Sequence, residues 1–226
     1  MKLVALRELL SEFLGSTFLV MAAISPIILF TSVFESSISI AVIANAITVV
    51  CVLCVLIEIF GPISGAHFNP VVTFIMLLEK KILSGKALLF ILAQVTGGIC
   101  GTILTHLMFF EEMGGLLFVS DTSRANYIYF AEIIGTFILV LAVLILVKRG
   151  SGKTSVIIAL LVGGQLMATS STMFANPQVT IARMLTNSAA GIRPFDGLFF
   201  IIMQFTGALL AYAVYRLMFI KKERSA

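Results

Sequence analysis

Charge is scarce in this sequence. Only 12% of its 226 residues are Asp, Glu, Lys or Arg, while 60% are hydrophobic and mean hydropathy is +1.13. A soluble domain carries about 25% charged residues. So little charge excludes a disordered chain, a nucleic-acid-binding module and almost any water-soluble enzyme. The net charge of +4 is no nucleic-acid footprint if the basic residues flank a membrane. Metal-binding side chains are also few: three cysteines and two histidines. Cys51, Cys54 and Cys100 lie in apolar stretches, and Cys51-Val52-Leu53-Cys54 has no second pair to complete a zinc or redox motif. They read as buried, inert thiols. His67 and His106 stand far apart without an Asp, Glu or Cys constellation, so neither a metal nor a cofactor is expected. Ser170, Ser171 and Thr172 have no base at hand, and no catalytic residue is expected.

What the chain does have is long apolar runs. A helix crosses a bilayer with about 20 apolar residues. Six such stretches occur, at roughly 9–33, 39–60, 86–110, 127–147, 154–173 and 197–220. The first is interrupted by Arg7, Glu8, Ser11 and Glu12 and lacks a small-residue cleavage site, so it reads as a mature span rather than a signal peptide. With both termini cytoplasmic, the inner side carries twelve of the fifteen basic residues: Lys2, Arg7, Lys80, Lys81, Lys86, Lys148, Arg149, Lys153, Arg216, Lys221, Lys222 and Arg224. Arg124, Arg183 and Arg193 fall outside, with Glu35, Glu111, Glu112, Asp121 and Asp196. The positive-inside rule selects that orientation.

The chain also repeats itself. Glu12-Phe13-Leu14-Gly15-Ser16 near the start of span one matches Glu132-Ile133-Ile134-Gly135-Thr136 near the start of span four. Ala93-Gln94-Val95-Thr96-Gly97-Gly98 in span three matches Met203-Gln204-Phe205-Thr206-Gly207-Ala208 in span six. Each half holds one Asn-Pro, Asn69-Pro70 and Asn176-Pro177, and the three offsets are 120, 110 and 107 residues. The halves are 1–118 and 119–226, together one domain. Three spans per half is odd, so the second half must enter the membrane from the opposite side, as an inverted repeat.

Each Asn-Pro opens a segment too short to span. Residues 69–79 make about 16 Å of helix, roughly half a hydrocarbon core. Gly61-Pro62 and Gly65 break span two before it, and Glu79-Lys80-Lys81 stops it. Residues 176–186 behave alike. Asn as N-cap with Pro in the first helical position is a strong start signal. Irregular backbone at membrane depth persists only where it is buried or lines a wet cavity. Two half-helices therefore meet tip to tip, with both positive dipole ends at the centre.

These motifs resemble the aquaporin and aquaglyceroporin (major intrinsic protein) family over essentially the whole chain. The resemblance rests on Ser64-Gly65-Ala66-His67-Phe68-Asn69-Pro70-Val71-Val72-Thr73, on Asn176-Pro177, on the paired Glu12 and Glu132, and on Ala93-Gln94-Val95-Thr96-Gly97-Gly98. It implies an all-α integral membrane fold of six transmembrane helices plus two re-entrant half-helices. It further implies a passive channel for small neutral solutes, a homotetramer in membrane lipid, and a place in the plasma (inner) membrane. Glu12 and Glu132 would cost about 2.5–3.5 kcal/mol each at a helix centre if unpaired. The resemblance gives them the role of bracing the loops. Gln94 and Gln204 read as helix-interface or loop contacts. Glu58 lines the inner vestibule, braces the first loop, or is satisfied by a neighbouring loop. The backbones of Gly65, Ala66, His67 and Phe68, and of Thr172, Met173, Phe174 and Ala175, supply acceptors along the lumen. Asn69 and Asn176 donate from the opposite wall.

The chain departs from the family at its second motif. Asn-Pro-Ala-Arg becomes Asn176-Pro177-Gln178-Val179, so Val179 stands where the filter arginine is usual, and the first motif ends in Val71. Counting from the asparagines places the other filter positions at Val49, Gly164 and Met173. All four are apolar, which implies a wide constriction for polyols, urea or undissociated hydroxides of arsenic, antimony, boron or silicon, passing with water. Arg183, four residues after Val179, either supplies a cation near the outer mouth or snorkels to headgroups. Rival readings are a water-selective aquaporin, a structural membrane protein with a closed pore, and a formate/nitrite-type channel, which would lack the twin Asn-Pro pairs.

Overall fold

Helix ends in this chain are set by a few capping groups. The structure, a computed structural model, describes residues 6–124 and 126–219. Lys2, Lys221, Lys222 and Arg224, counted above for orientation, lie outside the described residues. Regular structure among the described residues is all helical. The elements are α1 (Leu6–Ile28), extended by a π turn (Leu29–Val33), α2 (Ile38–Ser64), α3 (Pro70–Leu78), α4 (Ser84–Met108) and α5 (Phe110–Met113). After a 3-10 turn (Asn126–Ile128) follow α6 (Tyr129–Arg149), α7 (Thr154–Ala168), α8 (Pro177–Arg183) and α9 (Pro194–Phe219).

Five of these helices, α1, α2, α4, α6 and α9, are long and apolar enough to cross a membrane. The fifth expected span is shorter than the apolar run 154–173 suggests. Helix α7 has 15 residues, about 22 Å. It stops because Thr169 turns extended (φ −106, ψ 143) and its Oγ1 accepts the Met173 N–H at 2.9 Å. Irregular chain continues from there to Asn176. Gly61-Pro62 does not break α2 either. Proline there removes one backbone donor in the last turn, which the helix tolerates. The break falls at Gly65, whose φ of +91 is the left-handed cap glycine adopts without strain.

Both half-helices start at an asparagine cap. Asn69 Oδ1 accepts the Val71 N–H at 2.9 Å, and Asn176 Oδ1 accepts the Gln178 N–H at 3.2 Å. They are shorter than 69–79 and 176–186, at nine and seven residues. Helix α1 packs on α4, and α6 on α9; α2 joins α1 to α7. Glycines allow the closest approaches: Gly97 and Gly101 of α4 lie against the Phe13 and Thr17 carbonyls of α1, and Gly207 of α9 lies against the Ile133 carbonyl of α6. The outward face carries large exposed apolar side chains, among them Leu10, Phe18, Ile47, Leu92, Ile134 and Leu209. Such an exterior suits lipid rather than water.

Candidate functional site

Two irregular loops meet at the centre of the bundle. Five of their non-glycine residues have left-handed backbone: Ala66 (φ 48), Phe68 (φ 44), Thr172 (φ 56), Met173 (φ 33) and Ala175 (φ 45). Each such residue costs on the order of 1–3 kcal/mol, so something must hold the loops in place. Two fully buried carboxylates do. Glu12 Oε1 accepts from Ser64 Oγ (2.6 Å) and the His67 N–H (3.0 Å), and its Oε2 from the Phe68 N–H (2.8 Å) and Gln94 Nε2 (2.7 Å). Glu132 Oε1 accepts from the Phe174 N–H (3.0 Å), and its Oε2 from the Ala175 N–H (2.8 Å) and Gln204 Nε2 (2.7 Å). Gln94 Nε2 also donates to Thr73 Oγ1, and Gln204 Nε2 to Thr180 Oγ1, both at 2.9 Å. Glu12 and Glu132 thus hold loop N–H groups, and Gln94 and Gln204 join each glutamate to a half-helix threonine across helix interfaces.

The tips lock together. Asn69 Nδ2 donates to the Ala175 carbonyl and Asn176 Nδ2 to the Phe68 carbonyl, each at 2.8 Å. Gln178 Nε2 adds a 3.3 Å bond to the same Phe68 carbonyl. The Phe68 and Ala175 carbonyls are therefore engaged across the junction rather than standing as free acceptors. Each asparagine amide keeps a second N–H, and both asparagines are among the residues that line the cavity beside them. Pro70, Val71, Pro177 and Gln178 are buried behind the tips and do not line it.

That cavity measures about 370 Å³ and runs from Lys81 at one end to Arg183 at the other. One wall is apolar. It is built from stripes four residues apart: Leu19 and Ala23 of α1, Val49, Leu53 and Ile57 of α2, Leu139, Val143 and Val147 of α6, and Ile158, Val162 and Leu166 of α7. The opposite wall is the loops, Ser64 to Asn69 and Met173 to Asn176. Val72 and Met76 of α3 and Val179 of α8 complete it.

Three of the four expected filter residues, Val49, Met173 and Val179, line this cavity. Gly164 does not: it is exposed on the far face of α7, and Leu166 stands in the wall instead. Each helical residue turns the side chain by about 100°, so two positions reverse the face. Thr172 lines a smaller neighbouring pocket rather than the cavity. Glu58 is exposed, accepts from Ser155 Oγ at 2.8 Å, and lines neither. Cys51 is exposed and Cys54 and Cys100 are half-buried, so the thiols are less enclosed than their apolar surroundings suggest. His106 is buried, with Nε2 2.8 Å from Thr186 Oγ1, far from His67. No cluster of metal-ligating side chains occurs among the described residues.

Arg183 does not snorkel. Only 3% exposed, it turns inward, lays its guanidinium 4.3 Å from the Phe174 ring and donates from Nη2 to the Ala23 carbonyl at 2.6 Å. Its anchor comes from α1. Pro26 lacks the N–H that would bond the Ala22 carbonyl, and Asn45 Nδ2 bonds the Ala22 and Ala23 carbonyls at 3.1 and 3.0 Å. Neither Asn45 nor Pro26 stands out in the sequence. Both are legible only as a polar residue and a proline inside apolar spans.

The sequence pattern of the family described as Major intrinsic protein matches residues 1–175. The match stops just short of Asn176, where Gln178 and Val179 begin the departure. Aquaglyceroporin AqpS of Rhizobium meliloti (strain 1021) is 34% identical over 210 residues, 93% of this chain and 89% of that one. Probable aquaporin PIP2-5 of Arabidopsis thaliana is 31% identical over 147 residues, 61% of this chain and 51% of its own. Among solved structures, the aquaglyceroporin from Plasmodium falciparum shares the fold, with a TM-score of 0.69 at 17% identity over 92% of this chain and 94% of that one. The chain belongs to the major intrinsic protein family. It is an integral membrane channel for small neutral solutes, and the family is one of channels.

Proposed function

We propose that this channel is of the aquaglyceroporin kind, passing neutral solutes larger than water down their gradient. Polyols, urea and the undissociated hydroxides of arsenic, antimony, boron or silicon are the candidate classes, with water accompanying them. One observation carries the reading: the cavity faces the solute with aliphatic side chains on one wall and loop polar groups with Asn69 and Asn176 on the other. A hydroxylated molecule keeps hydrogen bonds on one side and contacts hydrocarbon on the other. The filter is the apolar ring of Val49, Leu166, Met173 and Val179, with the Arg183 guanidinium next along the path. The half-helix dipoles and this guanidinium oppose cations. The protein works as a homotetramer in a plasma (inner) membrane, each subunit with its own pore and both termini cytoplasmic, which makes the Arg183 end the outer mouth.

Stopped-flow light scattering on proteoliposomes tests this with water, glycerol, urea and arsenite. Glycerol and urea should enter well above the rate in empty vesicles. Water flux without glycerol flux would return the chain to the water-selective class. No flux of any kind would favour a structural protein with a closed pore.

A further inference from the structure

Beyond Arg183 the lumen gives way to a second pocket of about 110 Å³. Arg124, Arg183, Asn45 and Thr172 form its polar lining, and Ile38 and Val42 part of its apolar side. Arg183 lines both this pocket and the lumen, so it stands where the two meet. Arg124 and Arg183 lie against the same ring: their guanidinium carbons are 5.6 and 4.3 Å from the centroid of Phe174. The Nε of each is buried with no hydrogen-bond partner. Among the described residues, neither guanidinium forms an ion pair.

The neighbouring carboxylates are already committed. Glu132 holds the Phe174 and Ala175 N–H groups and Gln204. Asp196 holds the Arg124 backbone N–H (2.6 Å), Tyr129 Oη (2.6 Å) and Arg193 Nε (2.8 Å). Arg124, Arg183 and Arg193 thus face Glu132 and Asp196, three cations against two anions. Glu35, Glu111, Glu112 and Asp121 are exposed and screened by solvent. One positive charge remains uncompensated in a pocket whose lining holds no carboxylate. Holding two guanidiniums together there is costly without a counter-charge. Their planar N–H forks match the paired oxygens of an oxyanion.

We propose that this pocket binds a small monovalent oxyanion, a carboxylate or a sulfonate, between Arg124 and Arg183. Seated against the residue that divides pocket from lumen, the bound anion closes that mouth to solute. The inhibitory part rests on the reading of the lumen as the solute path; the binding part does not.

Methanesulfonate and its uncharged isostere dimethyl sulfone make the test, with chloride, which is no oxyanion, holding ionic strength constant. Binding is read by saturation transfer to the probe's methyl protons with the intact protein in detergent. Closure is read as slowed glycerol influx into proteoliposomes. Methanesulfonate should bind and slow glycerol, and dimethyl sulfone should do neither. Arg124→Gln, which lies off the lumen, should weaken sulfonate binding about tenfold and abolish the block, with glycerol flux in chloride unchanged. Equal binding of the two probes, or unchanged sulfonate binding in a folded Arg124→Gln, overturns the site. If that variant loses its fold, the comparison of the two probes on the unaltered protein still decides. Sulfonate binding to a protein that passes no glycerol would refute the channel reading and leave the site standing. Glycerol flux with no preference for sulfonate would do the reverse.

Discussion

Val71 follows Asn69-Pro70 at the tip of α3, and Gln178 follows Asn176-Pro177 at the tip of α8. Five residues further on, Met76 and Arg183 occupy corresponding places and both line the lumen. Around these differences the two halves agree closely. Each has a buried glutamate under its loop, a glutamine joining that glutamate to a half-helix threonine, and an asparagine bonded across the tips. Groups that hold strained backbone are duplicated, because removing any one leaves buried donors unpaired. Of the groups that line the lumen, Val72 and Val179 correspond and are the same residue, while Met76 and Arg183 have diverged, as have Val71 and Gln178 behind the tips. The brace is thus kept in both halves, while the short helices differ at one position in the lumen and at one behind the tips.

The largest expected effect comes from removing a brace. Glu12→Ala orphans four donors and Glu132→Ala three. Each buried orphan costs about 1–3 kcal/mol, so both variants should lose most of their folded yield. Glu12→Ala should be the worse by about one such donor. Thermal unfolding in detergent orders them, and a reversed order would break the equivalence of the two loops. Next in size is Arg183→Met, which copies the α3 residue into α8. Proton leak through proteoliposomes, read with an entrapped pH dye, should rise about tenfold, the factor about 1.4 kcal/mol of barrier represents. An unchanged leak would assign cation exclusion to the asparagines and dipoles alone.

Much of this division is legible in the sequence. Asn-Pro caps, the paired glutamates and the glutamines at matching offsets announce themselves because each is a costly polar or helix-breaking residue in an apolar run. The errors share a different origin. Counting back from Asn176 points to Gly164, but a count cannot see that residues 169–175 are irregular, and Leu166 lines the wall instead. Pro62 looks like a helix end, yet the left-handed cap at Gly65 decides where α2 stops. The direction of Arg183 depends on a carbonyl 160 residues away, beside a proline and an asparagine on two other helices. Val179→Arg sharpens that point. A guanidinium at the usual family position should lower glycerol flux more than water flux, and equal loss of both would count against Val179 as a size-setting residue.

The smallest effect concerns Gln178, where α8 departs from α3 at the tip itself. Its Nε2 makes a 3.3 Å bond to the Phe68 carbonyl, already bonded by Asn176, and its Oε1 is buried with no partner. One weak bond gained and one acceptor orphaned nearly cancel, so Gln178→Ala should cost about 1 kcal/mol or less. The side chain is nonetheless tied to α4. A Cβ on Gly98 would collide with Gln178 Oε1 and come within 3.3 Å of its carbonyl. Gly98→Ala alone should therefore destabilise by about 1–3 kcal/mol through overpacking. Removing the glutamine first opens that space. The double variant should be more stable than the sum of the single losses predicts, with a coupling of about 1 kcal/mol. Additive losses in thermal unfolding would mean that Gly98 is required by the α8 backbone, and that glutamine at the tip is a tolerated passenger rather than the partner for which α4 keeps its glycine.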